Sequence, residues 1–213
     1  LARWQGIGMP ATQLDLRGLA AEQPPSRRHV ASVVDDAEEV RVLGPVPALA
    51  AVLARLWRRD RLPAVPVAWE PADDAASRGL ARALGVGSGA ERELPLVRDD
   101  HGGVLLWHGR VTAFGAPRRP LARRLGSQAY NDDQRVANGP VTRIDVRPDW
   151  TAVDRISVAV VTLPLRPVRR TTGRALQVAS APAQVTRDGV PFDREVTKWT
   201  WYGDDRVRWL LRP

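Results

Sequence analysis

Hydrophobic positions change their spacing near residue 85. Val40, Val42 and Leu43 form a short apolar run that reaches the turn Gly44-Pro45. After Pro47, Leu49, Val52, Leu53 and Leu56 recur at i, i+3, i+4 and i+7, which predicts a helix with one apolar face, ended by Arg58-Arg59-Asp60. Residues 62–69 are apolar and partly β-branched, and predict a second strand closed by Glu70-Pro71-Ala72. Asp73 or Asp74 then caps a helix that carries Leu80, Ala81 and Leu84 and stops at Gly85. Two successive βα units imply a short parallel sheet under helices. Upstream, Gly6, Gly8 and Pro10 break the first segment, and Leu14, Leu16 and Leu19 fit a short helix or an irregular stretch. Residues 29–34 predict a strand that ends in the acidic turn at 35–39.

Beyond Gly85-Val86-Gly87-Ser88-Gly89 the apolar runs shorten and the turns become polar, which marks a domain junction. Residues 94–97, 104–107 and 110–114 read as a β-meander, with turns at 99–103 and His108-Gly109. Residues 115–140 are basic and irregular, with one helical turn at 121–125. Ile144 and Val146 alternate with Arg143, Asp145 and Arg147. Residues 156–165 are almost wholly apolar and predict a central strand buried on both faces. Asp188-Gly189 is a hairpin turn, Thr197, Trp199 and Trp201 share one strand face, and Gly203-Asp204-Asp205 turns into a last strand bearing Val207, Trp209 and Leu211. The expected architecture is α+β in two lobes: a truncated α/β lobe over residues 1–88, with residues 1–29 unassigned, and a larger antiparallel β-sandwich lobe over 89–213.

Composition narrows the chemistry more than the fold. The 213 residues include no cysteine, which excludes thiol catalysis, disulfides and cysteine-ligated metals. No apolar run is long enough to span a bilayer and no signal peptide is visible, so a cytoplasmic protein is expected. The chain opens on Leu1, consistent with a missing start or an alternative start codon. Net charge is +8, and Lys198 is the sole lysine among the cations. Arginine with abundant Ala, Val, Pro and Gly indicates high-GC, bacterial-type coding, and the surplus charge suits anionic partners.

Three stretches carry a resemblance. Residues 42–53 run strand, turn, helix; residues 65–85 repeat that order and end in Ala81-Arg82-Ala83-Leu84-Gly85; residues 175–190 close on Asp188-Gly189-Val190. Together they resemble the diacylglycerol kinase and bacterial lipid kinase family, relatives of NAD kinase. That family has a Gly-Gly-Asp-Gly-Thr turn in the first stretch, a Pro-x-Gly-Thr-x-Asn-Asp loop in the second and Asp-Gly-Glu in the third. The resemblance places the first turn on Gly44 to Ala48. The motif aspartate falls on Val46, its flanking glycines on Pro45 and Pro47, and the threonine on Ala48. The Asn-Asp pair falls on Arg78 and Gly79, and the glutamate on Val190. A valine neither ligates a metal nor accepts a proton, and proline removes a backbone donor. The resemblance therefore implies the family fold without its phosphotransfer residues: a binding or regulatory protein with no metal and no assigned cofactor.

Two alternatives stand beside that expectation. One is an active ATP- and Mg²⁺-dependent lipid or nucleotide kinase whose carboxylate has moved to Asp73, Asp74 or Asp132. The other is a basic nucleic-acid-associated protein. Asp73-Asp74 reads either as a metal pair or as a helix cap. Asp132-Asp133, beside Tyr130 and Asn131, reads as a Mg²⁺ or proton site or as a surface turn. Asp99-Asp100-His101 is a metal pair or a turn with Gly102-Gly103. His29 and His108 are isolated. Trp199, Trp201 and Trp209 form a stacking platform or a core. Arg166, Arg169, Arg170 and Arg174 are the densest cationic cluster and a candidate grip for phosphate or lipid headgroups. Partners in view are an anionic lipid or nucleotide, a protein, or a second copy paired along a sheet edge.

Overall fold

The computed structural model describes residues 12–20, 22–115, 124–152, 154–162 and 166–213, with the side chains of 166–168 not included. Among these residues the chain is mostly sheet, with three helices and one mixed sheet of 13 strands. Strands β1 (Thr12–Asp15), β2 (Val40–Gly44) and β3 (Val67–Pro71) are parallel neighbours. They alternate with helices α1 (Arg27–Val34), α2 (Val46–Arg58) and α3 (Ala75–Leu84).

The two expected βα units are present and a third precedes them. Thr12–Asp15 is a strand paired residue for residue with β2, where a short helix or irregular segment was expected. Residues 29–34 belong to α1 and not to a strand. Ser26 caps this helix by accepting the His29 N–H, and Val30 and Val34, four apart, bury one face. Tertiary packing of that face overrides the β-branched composition. Helix α2 buries Leu49, Val52, Leu53 and Leu56 as their spacing requires. Helix α3 starts at Asp74, whose carboxylate accepts the Ser77 N–H at 2.9 Å, and ends at Gly85 in the left-handed region (φ 69°). The strand expected over 62–69 is confined to β3, because residues 61–65 turn on themselves before Pro66.

The remaining strands are β4 (Arg92–Asp99), β5 (Gly109–Ala113), β6 (Leu125–Asn131), β7 (Gln134–Val141), β8 (Arg143–Asp149), β9 (Arg155–Thr162), β10 (Arg166–Gly173), β11 (Ala175–Arg187), β12 (Val190–Pro191) and β13 (Val196–Arg212). Residues 104–107 hold only a single bridge, Arg98 to Val104, and not a strand. Residues 125–141 form the β6–β7 hairpin in place of an irregular segment; the helical turn expected at 121–125 lies mostly outside the described residues. Strand β9 is second from the sheet edge, with Ile156, Val158 and Val160 buried and Arg155 and Ser157 exposed, so it is not buried on both faces. Gly203-Asp204-Asp205 is no turn. Strand β13 runs through it with a bulge between Asp204 and Arg208 along β4.

That long strand ties the parallel and antiparallel parts together. Its end pairs with β3 in parallel, Leu211 opposite Val67. Two hydrophobic cores result. One gathers the βα residues with Leu94, Leu96, Trp209 and Leu211; the other gathers β5 to β9 and β11 around Trp199 and Trp201. All three tryptophans are buried, so they build core and offer no stacking surface. No described helix is long and apolar enough to cross a membrane.

Candidate functional site

The turn from β2 into α2 is built around one glycine and two prolines. Gly44 has φ 150°, and a Cβ there would stand 2.9 Å from the Leu16 carbonyl oxygen. Its own carbonyl accepts the Trp69 indole N–H at 3.0 Å and the Ala72 N–H at 3.1 Å. A helix N-terminus normally presents four unpaired N–H groups, the feature that lets such an end hold phosphate. Here Pro45 caps the helix without a side-chain hydrogen bond, and Pro47 stands in its first turn. Neither proline has an N–H. The Ala48 N–H is spent on the Pro45 carbonyl at 2.9 Å. Val46 is 1 % exposed and Ala48 fully buried, so both side chains belong to the core.

Asp188, in the third stretch, occupies the left-handed first position of the β11–β12 hairpin (φ 49°), followed by Gly189 (φ 90°), as the turn signal requires. Its carboxylate does not face a ligand alone. Oδ1 accepts the N–H groups of Trp107 at 2.7 Å and His108 at 2.9 Å, and Oδ2 accepts that of Leu106 at 3.0 Å. Burial pushes its pKa up, against the pull of those three donors. Val190 offers no polar atom. Gly79, in the second stretch, makes room for Trp107: a Cβ there would lie 2.7 Å from the indole. Arg78 pairs with Asp73 at the surface.

Asp188 lines two clefts. The larger, about 1130 Å³, lies over β5, β8, β9 and β10, with Ala76 of α3, Trp107 and His108 on its walls. Alternation brings Arg143, Asp145 and Arg147 of β8 to this face, and the register sets Asp145 between Arg110 and Ala159, with Arg170 next to Ala159. Asp145 accepts from Arg110 Nε at 2.7 Å and Arg143 Nε at 2.7 Å, and lies 3.2 Å from His108 Nε2. Arg147 lies over the Trp107 ring at 5.2 Å. Four guanidiniums, of Arg110, Arg143, Arg147 and Arg170, thus face three carboxyl groups, Glu22, Asp145 and Asp188, the last of which is buried. The face is electropositive and suits an anionic ligand.

Asp145 also sets an acid limit. Burial alone would raise its pKa, but the hydrogen bonds of His108, Arg110 and Arg143 outweigh it and hold the carboxyl well below the usual 3.8. With the folded value below the unfolded one, the stabilisation is present above 3.8 and is lost as pH falls through the folded value. Asp145→Asn is expected to lower stability at pH 7 by about 2 kcal/mol, with the deficit narrowing in strong acid. Urea denaturation at several pH values reads both.

The other sequence-derived candidates scatter. Asp74 is spent on Ser77, and the Asp73 side chain is 94 % exposed. Asp132 (φ 51°) holds the β6–β7 turn against Arg174 and Ala175, whose N–H groups it accepts at 2.8–3.0 Å, and Asp133 is exposed beside it. Neither Asp73 nor Asp132 lines a cleft with Asp188. Among the described residues no three His, Asp or Glu side chains gather to hold a metal ion. Arg170 lines the large cleft; Arg169 donates to the Arg135 carbonyl, Arg174 pairs with Asp154 and Asp205, and the Arg166 side chain lies outside what is described. Asp99 closes β4 and holds the expected 99–103 turn by accepting the His101 and Gly103 N–H groups, and it is buried and ion-paired to Arg187 at 2.8 Å.

No protein family's sequence profile matches the chain, and no curated protein matches it. The fold does find counterparts. A diacylglycerol kinase from Bacillus anthracis str. Sterne superposes with a TM-score of 0.64 over 87 % of this chain and 81 % of its own, at 8 % identity. The chain has the diacylglycerol kinase and NAD kinase-like fold. An NAD kinase from Archaeoglobus fulgidus, solved in complex with ATP, matches with a TM-score of 0.52 over 90 % of this chain and 82 % of its own, at 11 % identity. The likeness is one of backbone course, and this kinase-like fold is here filled with side chains of its own. Signals for the cleft residues were weak in the sequence: His108 and Asp145, and Arg110 and Arg170, are distant along the chain and meet only through strand order.

Proposed function

We propose that the chain is a degenerate member of the lipid kinase and NAD kinase-like group. It is organised as two lobes, residues 1–88 and 89–213, and binds an anionic ligand, a nucleotide or a lipid phosphate, without transferring a phosphoryl group. The start of α2 carries this reading. Pro45 and Pro47 contribute no N–H, the Ala48 N–H is already bonded, and Val46 is a buried apolar residue where the resemblance asks for a carboxylate. Mg²⁺ is usually held through carboxylates, and no side-chain oxygen stands on Gly44 to Ala48. The Asp188 carboxylate is committed to three backbone donors. ATP with Mg²⁺ therefore does not fit the residues present at the first turn. The anion-binding half of the reading rests on the arginine-lined face over β5, β8, β9 and β10.

Calorimetric titration with inorganic pyrophosphate tests it. Binding is expected to be saturable without metal and to weaken with salt, and Arg170→Glu is expected to lower affinity about tenfold. In the variant carrying Pro45→Gly, Val46→Asp and Pro47→Gly together, ATP binding is expected to become Mg²⁺-dependent, with circular dichroism to check that the fold survives a carboxylate at the buried position 46. Pyrophosphate binding indifferent to Arg170→Glu would remove the cleft as its site. A triple variant that stays folded yet gains no nucleotide affinity would break the alignment through this turn.

A further inference from the structure

The second cleft, about 400 Å³, lies on the other side of Asp188, against the flank of α2. Pro47, Ala50, Ala51, Ala54 and Arg58 fall at i, i+3, i+4, i+7 and i+11 and line it. The rest of the helix packs its leucines and valines into the core, whereas every residue of this flank before Arg55 stops at Cβ or at a proline ring. The space is therefore made by truncated side chains on a rigid helix, and Val30 and Val104 extend its apolar wall. Opposite stands an aromatic wall. His101 stacks on Trp199 at 4.5 Å and contacts Phe192 at 5.0 Å, and Phe192 meets Trp199 edge-on.

Charge is placed at the same cavity. Arg27, Arg55, Arg58 and Arg187 all line it. Two of them are already satisfied: Arg55 pairs with Asp35, and Arg187 with Asp99. Among the described residues, Arg58 donates only to the Gly102 carbonyl at 2.9 Å, and Arg27 has no ion-pair partner. The sole carboxylate among the described lining residues, Asp188, is occupied by backbone donors. Burial lowers the Arg58 pKa and the neighbouring Arg27, Arg55 and Arg187 lower it further, as expected of cations crowded without enough counter-charge.

We infer that this cavity is a second binding site, separate from the arginine-lined sheet face, for a small amphiphile with an anionic head on a short apolar body. The head, a phosphate monoester or a carboxylate, lies between the guanidiniums of Arg27 and Arg58. The body lies between the alanine flank of α2 and Phe192. The volume is within the range of small-molecule sites, about 300–1,000 Å³, and the mixture of apolar walls with a few charged groups is their usual makeup. Bidentate guanidinium donors from two different helices suit oxyanions in particular.

Calorimetry with phenyl phosphate, benzoate, inorganic phosphate and benzyl alcohol tests the assignment and separates the two head groups. Phenyl phosphate or benzoate is expected to bind at least about tenfold more tightly than both inorganic phosphate and benzyl alcohol. Arg27→Glu, an exposed substitution that leaves the fold intact, is expected to abolish that binding, and Ala51→Leu to block it by filling the cavity. Arg170→Glu, in the other cleft, is expected to leave it unchanged. Circular dichroism verifies that each variant is folded, and unchanged pyrophosphate binding at the other cleft does so again for Arg27→Glu and Ala51→Leu. No binding of either aromatic anion, equal binding of inorganic phosphate, or binding that survives Arg27→Glu would overturn the inference. Since the readouts respond to different arginines, failure here is distinguishable from failure of the proposed function.

Discussion

Asp188→Ala is expected to lower the stability of the chain by about 3 kcal/mol, measured by urea denaturation. The substitution removes the acceptor of three N–H groups, those of Leu106, Trp107 and His108, at a residue only 8 % exposed. An orphaned buried donor costs about 1–3 kcal/mol, and the sum falls short of three full penalties because both clefts border the site and can admit water. Asp188→Asn keeps one carbonyl oxygen and is expected to lose roughly half as much. The two differ from the wild type in pH dependence as well. Burial raises the Asp188 pKa above the usual 3.8, so the folded chain holds this proton more tightly than the unfolded chain. The associated stability is fully present below 3.8 and is lost as pH rises through the folded value. Wild type should therefore gain on Asp188→Asn as pH falls toward 3.8, the opposite sign to Asp145. The consequence for function is positional. Asp188 fixes the 106–108 turn, which carries Trp107 and His108 into the larger cleft.

Asp99→Ala is expected to be the more damaging change, costing about 3–5 kcal/mol. The Asp99 side chain is fully buried. It accepts the N–H groups of His101 and Gly103, both at 2.9 Å, and the Arg187 guanidinium at 2.8 Å. Removal strands a largely buried cation and two backbone donors at once. Gly103 shows how closely the pair is fitted, since a Cβ there would overlap the Arg187 guanidinium and crowd the Asp99 carboxylate. Arg187→Met should cost less, because the carboxylate keeps its two backbone donors and the methionine can pack where the guanidinium lies over Phe192 and Trp199. A double-mutant cycle between the two positions, read by urea denaturation, is expected to show strong coupling. Additive losses would mean that the pair contributes little beyond its separate contacts.

Much of the helical part was legible along the chain. Leu49, Val52, Leu53 and Leu56 specify one face of α2, and Asp74 and Gly85 mark both ends of α3. The Asp188-Gly189 turn was legible for the same reason, since its backbone geometry depends on the two residues themselves. Errors fell where neighbours in space decide the outcome. Residues 29–34 hold three β-branched valines, yet Val30 and Val34 bury one face of a helix that packs against α2. Residues 203–205 carry a turn's composition, but β4 and β11 pair on either side and draw them into one 17-residue strand. The cleft residues were the least legible. Arg27, Arg58 and Arg187 share a cavity because α1, α2 and the end of β11 converge there, and nothing in the spacing of three arginines announces it. The Gly44 to Ala48 turn is the reverse case. Its position followed from strand, turn and helix, and its chemistry from the absence of N–H on two prolines.

On the proposed reading, this kinase-like fold binds anions and does not use Mg²⁺ and ATP for phosphoryl transfer. Titration of the unaltered chain with ATP, in the presence and absence of Mg²⁺, checks that reading. The expected result is at most weak, salt-sensitive ATP binding that Mg²⁺ fails to strengthen, because guanidiniums line both clefts and the α2 turn offers no side-chain oxygen to a metal. Saturable ATP binding that requires Mg²⁺ would contradict it.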